Sequence, residues 1–423
     1  MTAAAQSPAP ASIGDAAWLK RPATQAVFAA LAAHGHEARA VGGAVRNALL
    51  GRAVGDVDLA TPARPEAVMA AARAAGLKAI ATGLAHGTVT VLAEGQPYEI
   101  TTLREDVESY GRHAKVAFTA DWAADARRRD FTINALYCGA DGTLFDPLGG
   151  WPDLLQRRVR FIGEAAERIR EDYLRILRFF RLGAELGEGP PDRRGLEAAV
   201  GERAGLAGLS GERVRQEVFR LLAAPRGPAV VRLMLDYGLI ILVLGLAARP
   251  LLLEAVAELE AGLGLAADPL LRLAALAVET REDAEALRAR LRLSNDQYAC
   301  LVRVESGKAR FAAGMPAGKV KACLYGDGRE ASRWLILLDW ARAGSPAEDP
   351  GWRALWALAG HWQPPLLPVS GEDVMALGVP AGPRVGALLR ALEAWWIGGE
   401  FAADRASLLG KLRELGAKEA GTP

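Results

Sequence analysis

Gly55-Asp56-Val57-Asp58-Leu59-Ala60-Thr61 is the stretch on which the reading of this chain turns. Residues two apart on a strand share a face, so Asp56 and Asp58 project together while Val57 and Leu59 turn toward a core. Two neighbouring carboxylates repel each other unless something positive lies between them, and hard oxygen ligands select Mg²⁺. A bare pair of this kind is equally a solvated strand end. Upstream, Val41-Gly42-Gly43-Ala44-Val45-Arg46 follows an apolar stretch and leads into helical residues 47–50. Glycines at a strand-to-helix turn let backbone N–H groups approach a polyphosphate, and Arg46 reaches the same phosphates. Gly42-Gly43 alone is only a turn; joined to the carboxylate pair at this spacing, it points to a metal-held nucleotide.

Three further stretches add candidates. Glu99 lies in the apolar strand Tyr98-Glu99-Ile100-Thr101, where a glutamate needs a reason: a third carboxylate for the same cation, or an edge-strand charge. In Arg127-Arg128-Arg129-Asp130-Phe131-Thr132-Ile133-Asn134, an arginine suits phosphate and an aspartate suits ribose hydroxyls, although the residues alone favour a solvated turn. In residues 167–181, Ile169, Tyr173, Ile176, Leu177 and Phe180 form an apolar stripe, and Asp172, Arg175, Arg178 and Arg181 recur every three residues on a slowly drifting helix face. In isolation a surface ladder of ion pairs is the simpler reading. The sharper one is a base template. Asp172 accepts from the amino group of cytosine or adenine while Arg175 donates to the neighbouring acceptors, and uracil and guanine present a carbonyl that Asp172 rejects. Arg178 and Arg181 remain for base or phosphate contacts.

The whole chain frames these motifs. Its 423 residues suggest two to four domains, and 51% hydrophobic with 24% charged residues is ordinary for a globular protein. A net charge of +1 confines any nucleic-acid surface to a local patch. Cys138, Cys300 and Cys323 lack metal or disulfide spacing and fit a reducing compartment. The Ala/Pro/Ser-rich N-terminus carries no signal pattern and is expected to be a loose tail. The apolar run 238–248, between Asp236 and Arg249, is too short to cross a bilayer and is expected to be a buried helix. β-like stretches (37–41, 57–60, 88–92, 98–103 and 135–138) alternate with helices up to Gly150. Beyond it helical periodicity continues almost to the end, as in residues 171–182, 213–222, 251–263 and 385–396. On that last helix Trp395 and Trp396 fit a core better than a base-stacking surface.

Taken with Thr82-Gly83-Leu84-Ala85-His86-Gly87-Thr88 and Asp146-Pro147-Leu148-Gly149-Gly150, these stretches resemble the class II CCA-adding tRNA nucleotidyltransferase and poly(A) polymerase family over roughly residues 40–182. The resemblance implies an α+β protein: a polymerase-β-like nucleotidyltransferase head followed by an all-helical neck, body and tail. The expected divisions are a flexible tail (1–20), the head (21–150), a neck with base recognition (151–225) and an RNA-binding body and tail (226–423), with residues 146–150 as a springy link. It implies Asp56 and Asp58 as Mg²⁺ ligands, with Glu99 as the third catalytic carboxylate. Gly42, Gly43, Arg46, Arg129, Asp130, Asp172, Arg175, Arg178 and Arg181 would hold the nucleotide. The implied reaction adds C and A from CTP and ATP to the 3′ end of a tRNA acceptor arm, releasing pyrophosphate; poly(A) addition and CC-only or A-only addition are the alternatives. A cytoplasmic enzyme without membrane or obligate protein partner is expected. Only His361 of the five histidines lies beyond the head, which argues against an appended metal-dependent phosphohydrolase. Asn47 stands where the family usually carries aspartate.

Overall fold

The alternating stretches of the first half form strands in a computed structural model that describes residues 12–110, 113–304 and 309–420. They are β1 (Arg39–Val41), β2 (Val57–Thr61), β3 (Lys78–Gly83), β4 (Thr88–Ala93), β5 (Gln96–Thr102), β6 (Arg104–Tyr110), β7 (His113–Phe118), β8 (Tyr137–Cys138) and β9 (Leu144–Phe145). Seven of them make one mixed sheet in the order β3-β4-β5-β2-β1-β8-β9, and β6 and β7 pair separately. β2 alternates over its first three residues, with Val57 and Leu59 buried and Asp58 exposed, after which Ala60 and Thr61 are buried as well. Its partner β5 runs parallel and sets Glu99 opposite Asp58. The expected strands all exist, whereas β3, the β6–β7 hairpin and the short β9 were not anticipated. β3 buries no residue fully, so it offers no apolar alternation to detect.

Contacts divide the chain into two units, residues 1–243 and 244–423. The first carries α1 (Pro22–Ala32), α2 (Gly43–Leu49), α3 (Pro65–Ala74), α4 (Trp122–Arg127), α5 (Trp151–Leu155), α6 (Ala165–Glu171), α7 (Leu174–Leu186), α8 (Arg193–Gly201), α9 (Gly211–Ala223) and α10 (Gly227–Asp236), with α11 (Leu239–Leu244) at its end. The run 238–248 is thus helical over only six residues, and it buries Leu239, Ile240, Val243 and Leu244. Residues 171–182 are not one helix. α6 stops at Glu171, Asp172 is extended at φ −155°, and α7 begins at Leu174. The Asp172 carboxylate accepts from the Leu174 N–H at 3.2 Å, which satisfies one of the free donors at the helix start.

The loose tail was expected to reach residue 20. Residues 1–11 lie outside the described residues, but residues 12–20 are packed. The Ile13 N–H donates to the Gly142 carbonyl at 2.9 Å, and Trp18 and Leu19 are buried. Gly142, at φ +85°, permits this contact, because a Cβ there would lie 2.2 Å from the Gly14 nitrogen.

An aromatic cluster ties the end of the sheet to α7. Phe131 lies 4.8 Å from Phe161, and Phe161 lies 5.5 Å from Phe179, all three buried. Burying such rings contributes a few kcal/mol each. It also fixes Asp130, one residue before Phe131, against Arg178, one residue before Phe179.

The second unit is helical throughout its described residues: α12 (Pro250–Gly262), α13 (Pro269–Ala277), α14 (Arg281–Leu291), α15 (Asn295–Val304), α16 (Ala317–Asp327), α17 (Arg329–Ala343), α18 (Pro350–His361), α19 (Gly371–Ala376), α20 (Pro383–Gly398) and α21 (Arg405–Ala420). Prolines open α12, α13, α18 and α20, where the missing N–H costs nothing. Trp396 joins the core with Leu392, Leu408 and Leu412 as expected, but Trp395 is 41% exposed. Among the described residues no helix is long and apolar enough to cross a membrane.

Candidate active site

A cavity of about 720 Å³ opens in the first unit between the β2 end, α2, α7 and α9. Gly42, Gly43, Arg46 and Asn47 form one wall, Asp56 and Asp58 another, Arg128, Arg129, Asp130 and Asn134 a third, and Asp172, Arg175, Arg178 and Arg181 the fourth. The structure therefore gathers eleven of the twelve residues singled out from the sequence. Glu99 is the exception: it stands beside Asp58 on β5 and does not line the cavity.

The carboxylate pair is short of positive charge. Asp58 keeps accessible surface on the cavity, yet the protein packed around its carboxyl strips much of its water. With the neighbouring Glu99 and Asp56 this pushes its pKa up to about 6, against the pull of Arg129. Arg129 is itself committed, since its guanidinium donates to Asp125 at 2.9 Å and to the Tyr137 hydroxyl at 3.1 Å. Among the described residues no three His, Cys, Asp or Glu side chains are grouped to cage a metal ion by themselves. A cradle of three protein carboxylates, with Glu99 as the third, is therefore not present ready-made. Two carboxylates with unmet charge do fit Mg²⁺, which keeps several waters and completes its octahedron with substrate phosphates.

Gly42, at φ +75°, makes the turn into α2, and Arg46 projects from that helix. Arg46 is buried and bonds only to amides, donating to Asn134 Oδ1 at 2.5 Å and to Asn47 Oδ1 at 3.1 Å. Burial, with repulsion from Arg181 and Arg178, brings its pKa down to about 10, despite Glu185 and Asp130. Asn47 thus occupies a contact where an aspartate would neutralise this arginine.

The Arg128-Arg129-Asp130 stretch is not the solvated turn that its residues alone favoured. Asp125, almost fully buried, binds both arginines, and Asp130 is buried. Burial would raise the Asp130 pKa. Arg178 at 2.5–2.7 Å and Asn134 at 3.0 Å overcome that and hold it at about 2. A carboxylate whose folded pKa lies below its unfolded value of 3.8 stabilises the fold above that value, and the gain is lost as pH falls through about 2. Asp130→Asn should therefore cost about 2 kcal/mol at neutral pH, with the gap in unfolding midpoint closing between pH 4 and 2. A gap independent of pH would rule this ion pair out as its source.

The fourth wall departs from a helical ladder. Asp172, outside α7, is held by a residue that sequence reasoning missed: Arg213 on α9 donates to its two oxygens at 3.1 and 2.6 Å. Arg175 gives one nitrogen, Nη1, to the Arg168 carbonyl and Glu171, leaving Nε and Nη2 without a partner among the described residues. Arg181 is buried between Glu217 at 2.5 Å and Glu185 at 2.9 Å. Arg178 and Arg181 are thus already engaged by carboxylates rather than standing free. Arg213 and Glu217 lie one turn apart on α9, in the helix read at 213–222, but no local signal names partners some 36–41 residues away.

Comparison with known proteins agrees with this geometry. The Poly A polymerase head domain matches residues 38–160. CCA tRNA nucleotidyltransferase 1, mitochondrial, of Mus musculus is 36% identical over 385 residues, covering 90% of this chain and 87% of that protein. The chain belongs to the CCA-adding tRNA nucleotidyltransferase and poly(A) polymerase family. Within that family, the CCA-adding enzyme of Geobacillus kaustophilus is 41% identical over 244 residues, covering 56% of this chain and 59% of that protein. The crystal structure of the Bacillus stearothermophilus CCA-adding enzyme in complex with CTP covers 94% of this chain and 98% of its own, with TM-score 0.72 and 30% identity. Family membership establishes the polymerase-type head, the helical remainder and an enzyme of the nucleotidyltransferase class. Such nucleotidyltransferases generally use divalent metal ions. A second cavity of about 490 Å³ lies in the other unit beside Trp334 and Trp356. Its walls are mostly apolar, and its Glu260 is already bound to Arg272 at 2.6 Å, so it offers no comparable chemistry.

Proposed function

We propose that this chain completes the 3′ end of tRNA, adding C and A nucleotides from CTP and ATP in the cytoplasm with Mg²⁺ and releasing pyrophosphate. The observation that carries the reading is one cavity in which an undercompensated carboxylate pair faces Asp172 and an arginine-lined wall. Relatives named for CCA addition, including a structure with CTP, support it.

In this reading Asp56 and Asp58 hold the divalent ion against the triphosphate. Bound there, it supplies positive charge that favours the nucleophilic form of the RNA 3′-hydroxyl and offsets charge on the phosphates. Glu99 concentrates negative charge behind Asp58 and strengthens its grip on a cation. Gly42, Gly43 and Arg46 orient the triphosphate, so that the hydroxyl attacks the α-phosphorus in line and pyrophosphate leaves. Arg129, Asp130, Arg178 and Arg181 line the sugar, base and phosphates. Asp172 Oδ1 is filled by Arg213 and the Leu174 N–H, but Oδ2 keeps a lone pair after its Arg213 bond and accepts from the cytosine or adenine amino group, while Arg175 donates through Nε and Nη2. The helical unit holds the RNA. The springy link at residues 146–150 turns on Asp146, whose oxygens accept from the Gly150 and Trp151 N–H groups at 2.8 and 2.9 Å.

A tRNA lacking its terminal nucleotides, supplied with CTP and ATP, separates the alternatives by product length and sequence. Addition that stops at CCA is expected. A long A tail indicates a poly(A) polymerase, and arrest after CC or extension by A alone indicates the specialised variants.

A further inference from the structure

Eight arginines line the cavity, and six of them are paired with carboxylates of the protein. Arg46 and Arg220 are the two that are not. Arg46 bonds only to amide oxygens, and Arg220, exposed on α9, makes no hydrogen bond or ion pair among the described residues. Their positions converge. α7 and α9 run side by side in the same direction, since Asp172 meets Arg213 and Arg181 meets Glu217 further along. Arg220 follows Glu217 by about one helical turn and so comes level with Glu185, near the end of α7. Glu185 is also the strongest attractive charge felt by Arg46, from the opposite wall. That carboxylate already accepts two bonds from Arg181. Arg181 shares Glu185 and Glu217, while Arg46 and Arg220 pair with no carboxylate among the described residues, so this end of the cavity keeps unpaired positive charge.

We propose that Arg220 and Arg46 form a phosphate subsite, and that its occupant is the pyrophosphate half of the incoming nucleoside triphosphate. This rests on the proposed nucleotidyl transfer and extends it to a residue on α9. The guanidinium fork suits phosphate oxygens, and a charge without an internal ion pair breaks none on engaging one. Arg46 decides between the two sources of phosphate present in the reaction. It projects from α2, which starts at the Gly42–Gly43 turn just after Val41, the strand partner of Asp58, so the triphosphate rather than the RNA backbone reaches both arginines.

The test uses Arg220→Gln and Arg220→Lys in the full chain. CTP binding is measured by calorimetry without RNA, alongside KM for CTP and ATP, inhibition by pyrophosphate, and affinity for tRNA. The expected result for Arg220→Gln is about a tenfold loss in CTP affinity, equal rises in both nucleotide KM values and weaker pyrophosphate inhibition. Lysine restores part of it, while tRNA affinity and the preference for C and A over U and G stay unchanged. Loss of tRNA affinity alone would transfer the subsite to the RNA backbone and overturn the triphosphate assignment. No change in any readout would overturn the subsite itself. Because CTP binding is read without RNA, a wild-type chain that binds CTP but leaves tRNA unextended contradicts the proposed function and not the subsite.

Discussion

Replacing Asp58 with Ala should lower nucleotide addition by about 10³-fold or more, the largest effect expected of any side chain in the cavity. Asp58 stands between Asp56 and Glu99 with only a committed arginine to oppose them, so its charge serves a cation rather than the fold. The stability effect should run the other way. Its pKa is raised from 3.8 to about 6, so ionisation burdens the folded state above about pH 6 and the burden vanishes below the unfolded value. The Ala variant should therefore melt no lower than the wild type at pH 7 without divalent ions, while tRNA binding persists. Turnover, melting and RNA binding measured on one preparation test this. An inactive variant that also melts far lower would mean that Asp58 is structural.

The second large effect concerns choice of nucleotide. Asp172→Asn presents an amide, which can donate where the carboxylate only accepts. UTP and GTP should then be incorporated, and the preference for CTP and ATP should fall by about 10- to 100-fold. The Arg213 fork loses its charged partner in this variant, so part of the change will appear as a higher KM for every nucleotide. Comparison with Arg213→Lys separates the two contributions, because that variant keeps the carboxylate and loosens only its orientation. Discrimination that survives Asp172→Asn unchanged would remove the template role.

What the sequence disclosed follows from how locally each feature is determined. Asp56 and Asp58 could be read together because a strand's two-residue period is local, although Asp56 lies just before β2 and the period holds only from Val57 to Leu59. Gly42 could be read because only a glycine turns easily at φ +75°. Asp172 misled because three-residue spacing imitates a helix face, whereas an aspartate before an apolar helical run is also a start signal, and that is what it is here. Arg128, Arg129 and Asp130 looked like a solvated turn because the acids and aromatics that bury them, Asp125 and Phe131 with its partners, act through packing that charge counting does not register. Arg213 and Glu217 were invisible as partners for the same reason. At the N-terminus, residues 1–20 read as a loose tail, but Trp18 and Leu19 were already the kind of side chains that a fold buries. Trp395 and Trp396 divided between surface and core because adjacent helix positions lie about 100° apart.

Anomalous diffraction from crystals of the chain soaked with CTP and Mn²⁺ tests the central claim most directly. The account predicts a metal peak against Asp56 and Asp58, the triphosphate beside Arg46, and the cytosine amino group within hydrogen-bond reach of Asp172. A nucleotide ordered in the Trp334 and Trp356 cavity, or seated here with its base turned away from Asp172, would contradict it.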